Sequence, residues 1–332
     1  MSMNLKVFNA GASGNWNTRV GNWWNNLACT SQASTLPDAN STVVLLAGVS
    51  TPPSSPVTVA KLVAFSPTGA LLSLSLTNVT VNEGAAFVKC GVSGDLTATC
   101  AFVGIGGVGF TSGILTGSVA FLASSEYGNN GRIYGDVALF DAYNDYGGRI
   151  DGNVAFFGGA KNTGQDGALN PSTVSGNAAF FGWSVNDHTA GKGNIVTGSA
   201  AFFDTASCGG AVRNHVAMFG SQVTMASTMA VSGNGVFIDV AQMTAGTVSG
   251  DAAFLSTSTK FGSAVVSGDV AFLGGSSNAN PHTGTAAFIG TDTNNSSTVT
   301  GDATFIGNVG NKGTVTGKRL TVEALDILGG GI

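Results

Sequence analysis

The segment Val248–Leu255, VSGDAAFL, recurs almost unchanged as VSGDVAFL at Val266–Leu273, and related copies run through most of the chain. Each copy reads as an aliphatic residue, Ser or Thr, Gly, a small polar residue, Val or Ala, Ala, Phe and a large apolar residue. The central positions of 14 copies run from Glu83 to Gly317, so thirteen steps cover 234 residues and the mean spacing is 18. An internal period of this length indicates a repeat architecture.

A period of 18 residues is too short for two helices and a turn, and β-branched and aromatic residues stand where helix formers would be needed. A valine strand, a glycine corner and a second strand with Phe describe part of one turn of a β-solenoid, whose turns pair in parallel. The sequence therefore predicts an all-β fold, a single elongated parallel β-solenoid (β-helix) of about 14 turns of about 18 residues with an N-terminal β cap. We expect a Trp-rich capping or attachment region at 1–80, solenoid repeats at 81–317 and a C-terminal cap or contact segment at 318–332.

Stacking the copies defines two structural rows. The glycine is predicted to be a corner with a left-handed backbone, because Asn, which tolerates positive φ well, replaces it once. The corner residues are Gly117, Gly135, Gly152, Gly176, Gly198, Asn214, Gly233, Gly250, Gly268, Gly284 and Gly301. The Phe is predicted to form an interior ladder of Phe121, Phe156, Phe180, Phe202, Phe237, Phe254, Phe272, Phe288 and Phe305.

The composition argues against several functional classes. Only 9% of the residues are charged, Gly supplies 50 of 332 and the formal net charge is -5. Without a basic field to displace counterions from phosphates, nucleic-acid binding is not expected. No apolar run reaches the roughly 20 residues that span a bilayer, and no Sec signal peptide is visible, so we expect neither membrane insertion nor Sec export.

The four cysteines are Cys29, Cys90, Cys100 and Cys208. They form no CxxC and lack a nearby His pair, so we expect no metal site and no other cofactor. Cys90 and Cys100 are interpreted either as a bridge between neighbouring turns or as buried free thiols.

The N-terminal stretch resembles the opening module of many bacterial and phage β-helical surface proteins. The resemblance rests on Asn15-Trp16, on Asn22-Trp23-Trp24, and on Pro37-Asp38 before the apolar run Thr42–Leu46. It covers about 50 residues, and the repeat matches the β-solenoid class more than any one family. The roles that it implies are adhesins, autotransporter passengers, phage fibres and tailspikes, and ice-binding or matrix proteins.

Two exposed polar rows are candidate sites. The row after the corner contains Asp251 and Asp269 on successive turns, which suggests Ca²⁺ binding or the acid pair of a polysaccharide-cleaving enzyme. Because Asp, Asn and Ser interchange freely in this row, side-chain bonds that close the turn are the favoured interpretation. The Ser and Thr row before the corner could form a hydroxyl face of the ice-binding kind, but Tyr134, Asp151 and Arg213 interrupt it.

The aromatic residues outside the ladder are candidate contacts. Trp16, Trp23, Trp24 and Trp183 are predicted to contact a partner. For the aromatic residues of the inserted loops, stacking on sugar rings or packing against a partner subunit is one interpretation and covering the edge of the core is the other; these residues are Tyr127, Tyr143, Tyr146 and Trp183. The histidines, His188, His215 and His282, lie in different turns and assemble no catalytic triad by spacing.

These observations predict a non-enzymatic structural protein that assembles into a virion or surface appendage, such as a phage fibre, decoration or baseplate-type protein. The first alternative is a secreted or cell-surface β-helical filament or adhesin, and the second is a tailspike-like polysaccharide-degrading enzyme. The expected partners are other copies of the chain, other structural proteins and cell-surface glycans. The expected location is the virion, or alternatively the extracellular cell surface.

Overall fold

The computed structural model describes residues 4–9, 13–104, 109–123, 125–127, 131–144, 147–162, 171–186, 194–220, 223–225, 229–310 and 312–322. Over these ranges the chain is all-β without a helix, and it forms a single parallel β-solenoid of about 14 turns spaced about 18 residues apart. The fold class predicted from the repeat is confirmed. The chain divides into two compact units, an N-terminal unit of Met1–Gly176 and a C-terminal unit of Asn177–Ile332.

The N-terminal unit contains twenty strands in its described residues. They are β1 (Asn4–Phe8), β2 (Trp23–Trp24), β3 (Ser41–Leu45), β4 (Val57–Phe65), β5 (Leu72–Ser75), β6 (Val79–Val88), β7 (Cys90–Ser93), β8 (Leu96–Thr97), β9 (Cys100–Val103), β10 (Gly109–Ser112), β11 (Ile114–Thr116), β12 (Val119–Leu122), β13 (Glu126–Tyr127), β14 (Arg132–Tyr134), β15 (Val137–Phe140), β16 (Tyr143–Asn144), β17 (Arg149–Asp151), β18 (Val154–Phe157), β19 (Lys161–Asn162) and β20 (Thr173–Val174).

The C-terminal unit continues the numbering over its own described residues. Its strands are β21 (Ala178–Phe180), β22 (Val185–Asn186), β23 (Ile195–Val196), β24 (Ala200–Phe203), β25 (Ser207–Cys208), β26 (Ala211–Val212), β27 (Val216–Phe219), β28 (Thr224–Met225), β29 (Ala230–Val231), β30 (Gly235–Ile238), β31 (Gln242–Met243), β32 (Thr247–Val248), β33 (Ala252–Leu255), β34 (Thr259–Lys260), β35 (Val265–Val266), β36 (Val270–Leu273), β37 (Ser277–Asn278), β38 (Ala286–Ile289), β39 (Asn294–Asn295), β40 (Thr298–Val299), β41 (Ala303–Ile306), β42 (Thr314–Val315) and β43 (Arg319–Val322).

A regular turn contributes three short strands. The valine strand, such as β35, precedes the glycine corner; the Phe strand, such as β36, follows it; and the return strand, such as β37, completes the turn. Each strand pairs in parallel with its counterpart on a neighbouring turn, as β35 does with β32, β36 with β38 and β37 with β39. Residues at the same place in the repeat therefore stack on one another.

The Phe strands point alternate residues into and out of the solenoid, as the period of two in a strand requires. In β36 the residues Val270 and Phe272 are buried, whereas Ala271 and Leu273 are half-buried on the outside. Phe272 stacks on Phe254 with ring centroids 4.9 Å apart and on Phe288 at 5.0 Å. Every Phe of the predicted ladder is 0% exposed. Burial of one such ring contributes roughly 1.5 to 3 kcal/mol, so the ladder is the main apolar core.

The glycine corners do not have the predicted left-handed backbone, except at Gly117 and Gly135. The prediction is wrong for Gly152, Gly176, Gly198, Asn214, Gly233, Gly250, Gly268, Gly284 and Gly301. Close approach explains the glycines, because the N–H of Gly268 donates to the carbonyl oxygen of Gly250 at 3.1 Å. A Cβ on Gly284 would lie 2.6 Å from the carbonyl oxygen of Gly268, which is closer than real side chains come.

The left-handed corner lies at the other end of the Phe strand, two positions after the ladder residue. In the N-terminal unit this position is Lys89, Ala123, Asp141 and Gly158, and in the C-terminal unit it is Gly182, Asp204, Gly220, Asp239, Ser256, Gly274, Gly290 and Gly307. Asp and Gly are among the residues that adopt positive φ most readily. Their alternation at one repeat position is the signal that the sequence reasoning overlooked.

The first strands form a cap around buried aromatic rings. Strand β1 pairs in parallel with β3 and in antiparallel with β2. Trp23 packs edge-on against Phe8 at 5.0 Å and against Trp16 at 4.8 Å, and its Nε1 donates to the carbonyl oxygen of Trp16 at 2.8 Å. These contacts close the end of the core that precedes the regular turns.

The last described strand changes the core chemistry. In β43, Arg319 stands in register with Ala303 and Thr321 with Phe305, so polar residues replace a small apolar residue and the ladder Phe. The guanidinium of Arg319 lies 5.1 Å from the centre of the Phe305 ring, a cation–π contact. The apolar ladder therefore ends on a charged side chain. Residues 323–332, which complete the predicted C-terminal segment, lie outside the described residues.

Candidate functional site

The polar row that follows the glycine corner forms hydrogen bonds from one turn to the next. Oδ1 of Asp251 accepts the backbone N–H of Asp269 at 2.9 Å, and Oδ1 of Asp269 accepts that of Thr285 at 3.0 Å. The same bond joins Asp136 to Asn153, Asn177 to Ser199, His215 to Asn234, Asn234 to Asp251 and Asp302 to Lys318. The row therefore links turns, whereas the sequence had suggested bonds that close a single turn.

Asp251 and Asp269 remain exposed beside each other on the outer surface. One oxygen of each holds the backbone of the next turn, and Asn234 performs the same task with an amide oxygen. The acid pair proposed from the sequence is thus part of a structural hydrogen-bond row. Among the described residues, no group of three or more His, Cys, Asp or Glu side chains is placed to hold a metal ion.

The Ser and Thr row lies on the outer surface, between the buried aliphatic residue and the glycine corner of each turn. All of its described members are exposed: Thr116, Ser175, Thr197, Ser232, Ser249, Ser267, Thr283, Thr300 and Thr316. Asp151 interrupts the row in the N-terminal unit, where it forms ion pairs with Arg132 and Arg149. Partial burial raises the pKa of Asp151, but hydrogen bonds from Ser175, Arg132 and Arg149 outweigh this and hold it below its usual range.

An outer trough crosses the stacked Phe strands of the C-terminal unit, with its long axis in the stacking direction. One rim, called the acidic rim because of its two carboxylates, consists of Asn234, Asp251, Asp269 and Thr285. The floor consists of Val236, Ala253, Ala271 and Ala287, and the volume of the trough is about 470 Å³. The outward residues that end the same strands, Ile238, Leu255, Leu273 and Ile289, are half-buried and form an apolar rim. A trough of about 380 Å³ occupies the same position in the N-terminal unit, with Ala120 and Ala138 on its floor and Asp136 on its rim.

In other turns the outward residue that follows the ladder position is Phe, and these residues form an outer aromatic ladder that the sequence reasoning missed. Phe203 stacks on Phe181 at 4.8 Å and on Phe219 at 5.2 Å in the C-terminal unit. In the N-terminal unit Phe140, which is 40% exposed, stacks on Phe157 at 4.7 Å. Because strand residues alternate, an inward Phe requires that the large residue after it face outward, and this rule was the available signal.

The four candidate partner-contact tryptophans separate into three groups by exposure. Trp16 and Trp23 are 1% and 0% exposed, so the cap leaves neither ring accessible to a partner. Trp24 is half-buried in β2, and its Nε1 is buried without a hydrogen-bond partner. Trp183 is 76% exposed between β21 and β22 and remains available for a contact.

The return strands bury polar side chains that the sequence analysis did not single out. Nδ2 of Asn278 donates to Oδ1 of Asn295 at 2.9 Å inside the C-terminal unit. One turn earlier the same position holds Lys260, which is 0% exposed and donates from Nζ to the carbonyl oxygens of Asn280 at 3.2 Å and Pro281 at 3.0 Å. Burial lowers the pKa of Lys260 from its usual 10.5 to about 8.

His282 is the one described histidine that is buried. It is 1% exposed, and its Nε2 lies 3.2 Å from the carbonyl oxygen of Thr285. Burial, together with the nearby charge of Lys260, lowers its pKa. His215 is exposed in the polar row, and His188 lies outside the described residues.

The cysteines are all free thiols. Burial raises the pKa of Cys90, Cys100 and Cys208 to about 12, which keeps them protonated and unreactive. Cys90 and Cys100 are therefore buried free thiols, and no disulfide bridge joins them.

The fold and its stacked rows define the chain as a parallel β-solenoid repeat protein. No protein-family model matches the chain, and no curated protein or solved structure matches it significantly. In the described part of the chain there is no helix of the length and apolarity needed to cross a membrane.

Proposed function

We propose that this chain is a non-enzymatic structural protein that is built into a virion or surface appendage, as a phage fibre, decoration or baseplate-type component. The observation that carries the proposal is the outer apolar rim, which repeats on turn after turn beside an alanine floor. Monomeric soluble proteins rarely expose long apolar strips unless a partner covers them.

The polar row supports the same proposal. Its side chains hold neighbouring turns together through backbone N–H groups, so the acidic residues are used for the integrity of the solenoid. A scaffold of this kind presents fixed surfaces at regular intervals, about 4.8 Å per turn, which suits attachment to other structural proteins.

The assembly role is tested in particles from the source of the sequence. Virions and surface appendages would be purified separately, and the chain would be sought by quantitative mass spectrometry and by immunogold labelling. We expect a fixed ratio of the chain to a known structural protein of the particle across purification steps. Recovery only in the soluble fraction, at a ratio that falls with each step, would contradict the proposal.

The non-enzymatic part has its own test. A panel of bacterial polysaccharides would be incubated with the protein and with the double variant Asp251→Asn and Asp269→Asn. Asn preserves the acceptor for the next turn, as Asn234 shows, so the variant retains the row. We expect no reducing sugar from either protein. Release by the wild type that the variant lacks would establish the polysaccharide-degrading alternative.

A further inference from the structure

We propose that the outer trough of the C-terminal unit binds a cationic amphipathic segment of a partner protein. The trough consists of the acidic rim, the floor and the apolar rim defined above, over four consecutive Phe strands. The inference rests on the proposed function, because it names the chemistry of the partner that an assembly surface would take.

The shape of the trough suits a rod-like occupant. The floor carries Val236 and three alanines, and the Cα atoms of the two rims stand four residues apart along each strand, roughly 13 Å at the usual strand rise. An α-helix with its side chains is about 10 to 12 Å across, so a helix that lies along the stacking direction covers the floor and reaches both rims with its side chains. Three steps between four strands cover about 14 Å, which is about ten residues of helix at 1.5 Å each.

The two rims differ in chemistry and so orient the occupant. Leu255, Leu273 and Ile289 offer apolar contacts on one side, which an amphipathic helix meets with residues at i, i+3 and i+7. Asp251 and Asp269 stand on the other side on successive turns. The occupant therefore needs an apolar face with cationic side chains along one flank.

The two carboxylates of the acidic rim have no salt-bridge partner within the described chain. None of the ion pairs among the described residues involves Asp251 or Asp269. Like charges at adjacent positions of neighbouring strands are destabilising. Lys or Arg side chains of an occupant would remove this repulsion and add charge-assisted hydrogen bonds.

A second copy of the chain is a less suitable occupant. Two troughs that meet face to face about a two-fold axis place each acidic rim against the partner's acidic rim or against its apolar rim. The first arrangement opposes carboxylates to carboxylates, and the second desolvates carboxylates without a counter-charge. Both arrangements cost free energy, whereas a cationic partner avoids both costs.

The test uses the full chain and three fluorescein-labelled helical peptides of about 14 residues. The first peptide has a Leu stripe flanked by Lys, the second has Glu in place of Lys, and the third keeps the Lys but scatters the Leu. Fluorescence anisotropy at pH 7.5 would measure the Kd of each. We expect the first peptide to bind at least about tenfold more tightly than the other two.

Variants locate the binding. Ala271→Arg places a charged side chain on the floor and should weaken binding at least about tenfold. Ser267→Arg adds the same charge to the exposed surface outside the trough, directly after β35, and should weaken binding much less than Ala271→Arg does. The double variant Asp251→Asn and Asp269→Asn should weaken binding and reduce its dependence on salt. Circular dichroism melting would verify that each variant is folded.

Three results would overturn the inference: equal binding of the Lys and Glu peptides, unchanged binding by Ala271→Arg, or a wild-type dimer in sedimentation velocity that Ala271→Arg converts to monomer. The dimer would assign the trough to a second copy. Each of these results can coexist with incorporation of the chain into particles, so they leave the proposed function standing. Absence from particles would overturn the proposed function while the peptide results stand.

Discussion

At the residue scale, two glycines close to each other in the chain have different tasks. Gly284 has no room for a side chain, because a Cβ would lie 2.6 Å from a backbone oxygen of the preceding turn. Gly274 has a φ of 66°, and a Cβ there would be 3.4 Å from the nearest atom, an ordinary contact. Asp occupies the position of Gly274 in other turns, at Asp141, Asp204 and Asp239.

The same substitution at these two glycines should therefore have unequal effects. Gly284→Asp should cost more than about 2 kcal/mol of unfolding free energy, because two turns must separate to admit the side chain. Gly274→Asp should change it by less than about 1 kcal/mol, because Asp tolerates positive φ. Thermal or urea unfolding measures both. Comparable losses in the two variants would contradict the close-approach explanation of the corner.

Lys260 provides a pH-dependent prediction. Its folded pKa of about 8 lies below its usual 10.5, so between these values the unfolded chain binds more protons than the folded one. Lys260 therefore adds to the unfolding free energy as the pH increases from about 8 to about 10.5, whereas Cys90, Cys100 and Cys208, whose pKa burial raises to about 12, lower it above about pH 9. The contribution of Lys260 is measured as the difference between the wild type and a variant that lacks this lysine. His282, whose pKa is lowered, titrates below this window and does not affect the sign.

Replacing Lys260 should remove its contribution to this pH dependence. Met occupies the same stacked position in two earlier turns, Met225 and Met243, so Lys260→Met suits the interior. We expect a higher Tm than the wild type at pH 7, and this advantage should shrink from pH 8 to pH 10 as Lys260 of the wild type loses its proton. Lys318→Met, which changes an exposed lysine, is the control and should keep the wild-type slope. A parallel slope in Lys260→Met would refute the role of its burial.

At the element scale, the Phe strand shows how alternation separates core from surface. Phe272→Ala should cost about 3 to 5 kcal/mol, because it opens a cavity between Phe254 and Phe288. Leu273→Ala, on the outward side of the same strand, should cost about 1 kcal/mol or less, because the site is already half-exposed. Urea unfolding of the matched pair measures the difference, and equal values would show that the strand faces are misassigned.

The elements also show which features were accessible to sequence reasoning. The Phe ladder was predictable because one apolar residue recurs at one position of a fixed period, and parallel strands stack equal positions. The acceptor role of Asp251 was only partly predictable. Interchange of Asp and Asn indicated hydrogen bonding to backbone, but the partner, the N–H of Asp269 on the next turn, depends on the stacking distance.

At the scale of the whole molecule, a low net charge and the half-buried apolar rim predict association near the isoelectric point. The formal net charge is -5 at pH 7 and the pI is about 5.0. Static light scattering should therefore increase as the pH falls from 7.5 to 5 and reverse on return, because charge repulsion between molecules vanishes near the pI.

Surface substitutions on the exposed Ser row provide the control for this prediction. Ser249→Lys with Ser267→Lys adds two positive charges, and Ser249→Glu with Ser267→Glu adds two negative ones. The scattering maximum should move to higher pH in the first variant and to lower pH in the second. A maximum that stays in place in both variants would show that net charge does not control the association.

The sequence by itself determined the period, the parallel β-solenoid class and the interior ladder, because these depend only on which residue types recur and at what interval. The tertiary structure decided the features that depend on distances between turns. These are the steric need for glycine at Gly284, the left-handed position at Gly274, the burial of Lys260 and the trough beside Asp251 and Asp269. Spacing along a chain indicates which positions stack. The distance between the backbones of neighbouring turns, and the free space between side-chain rows, are fixed only when the turns pack against one another.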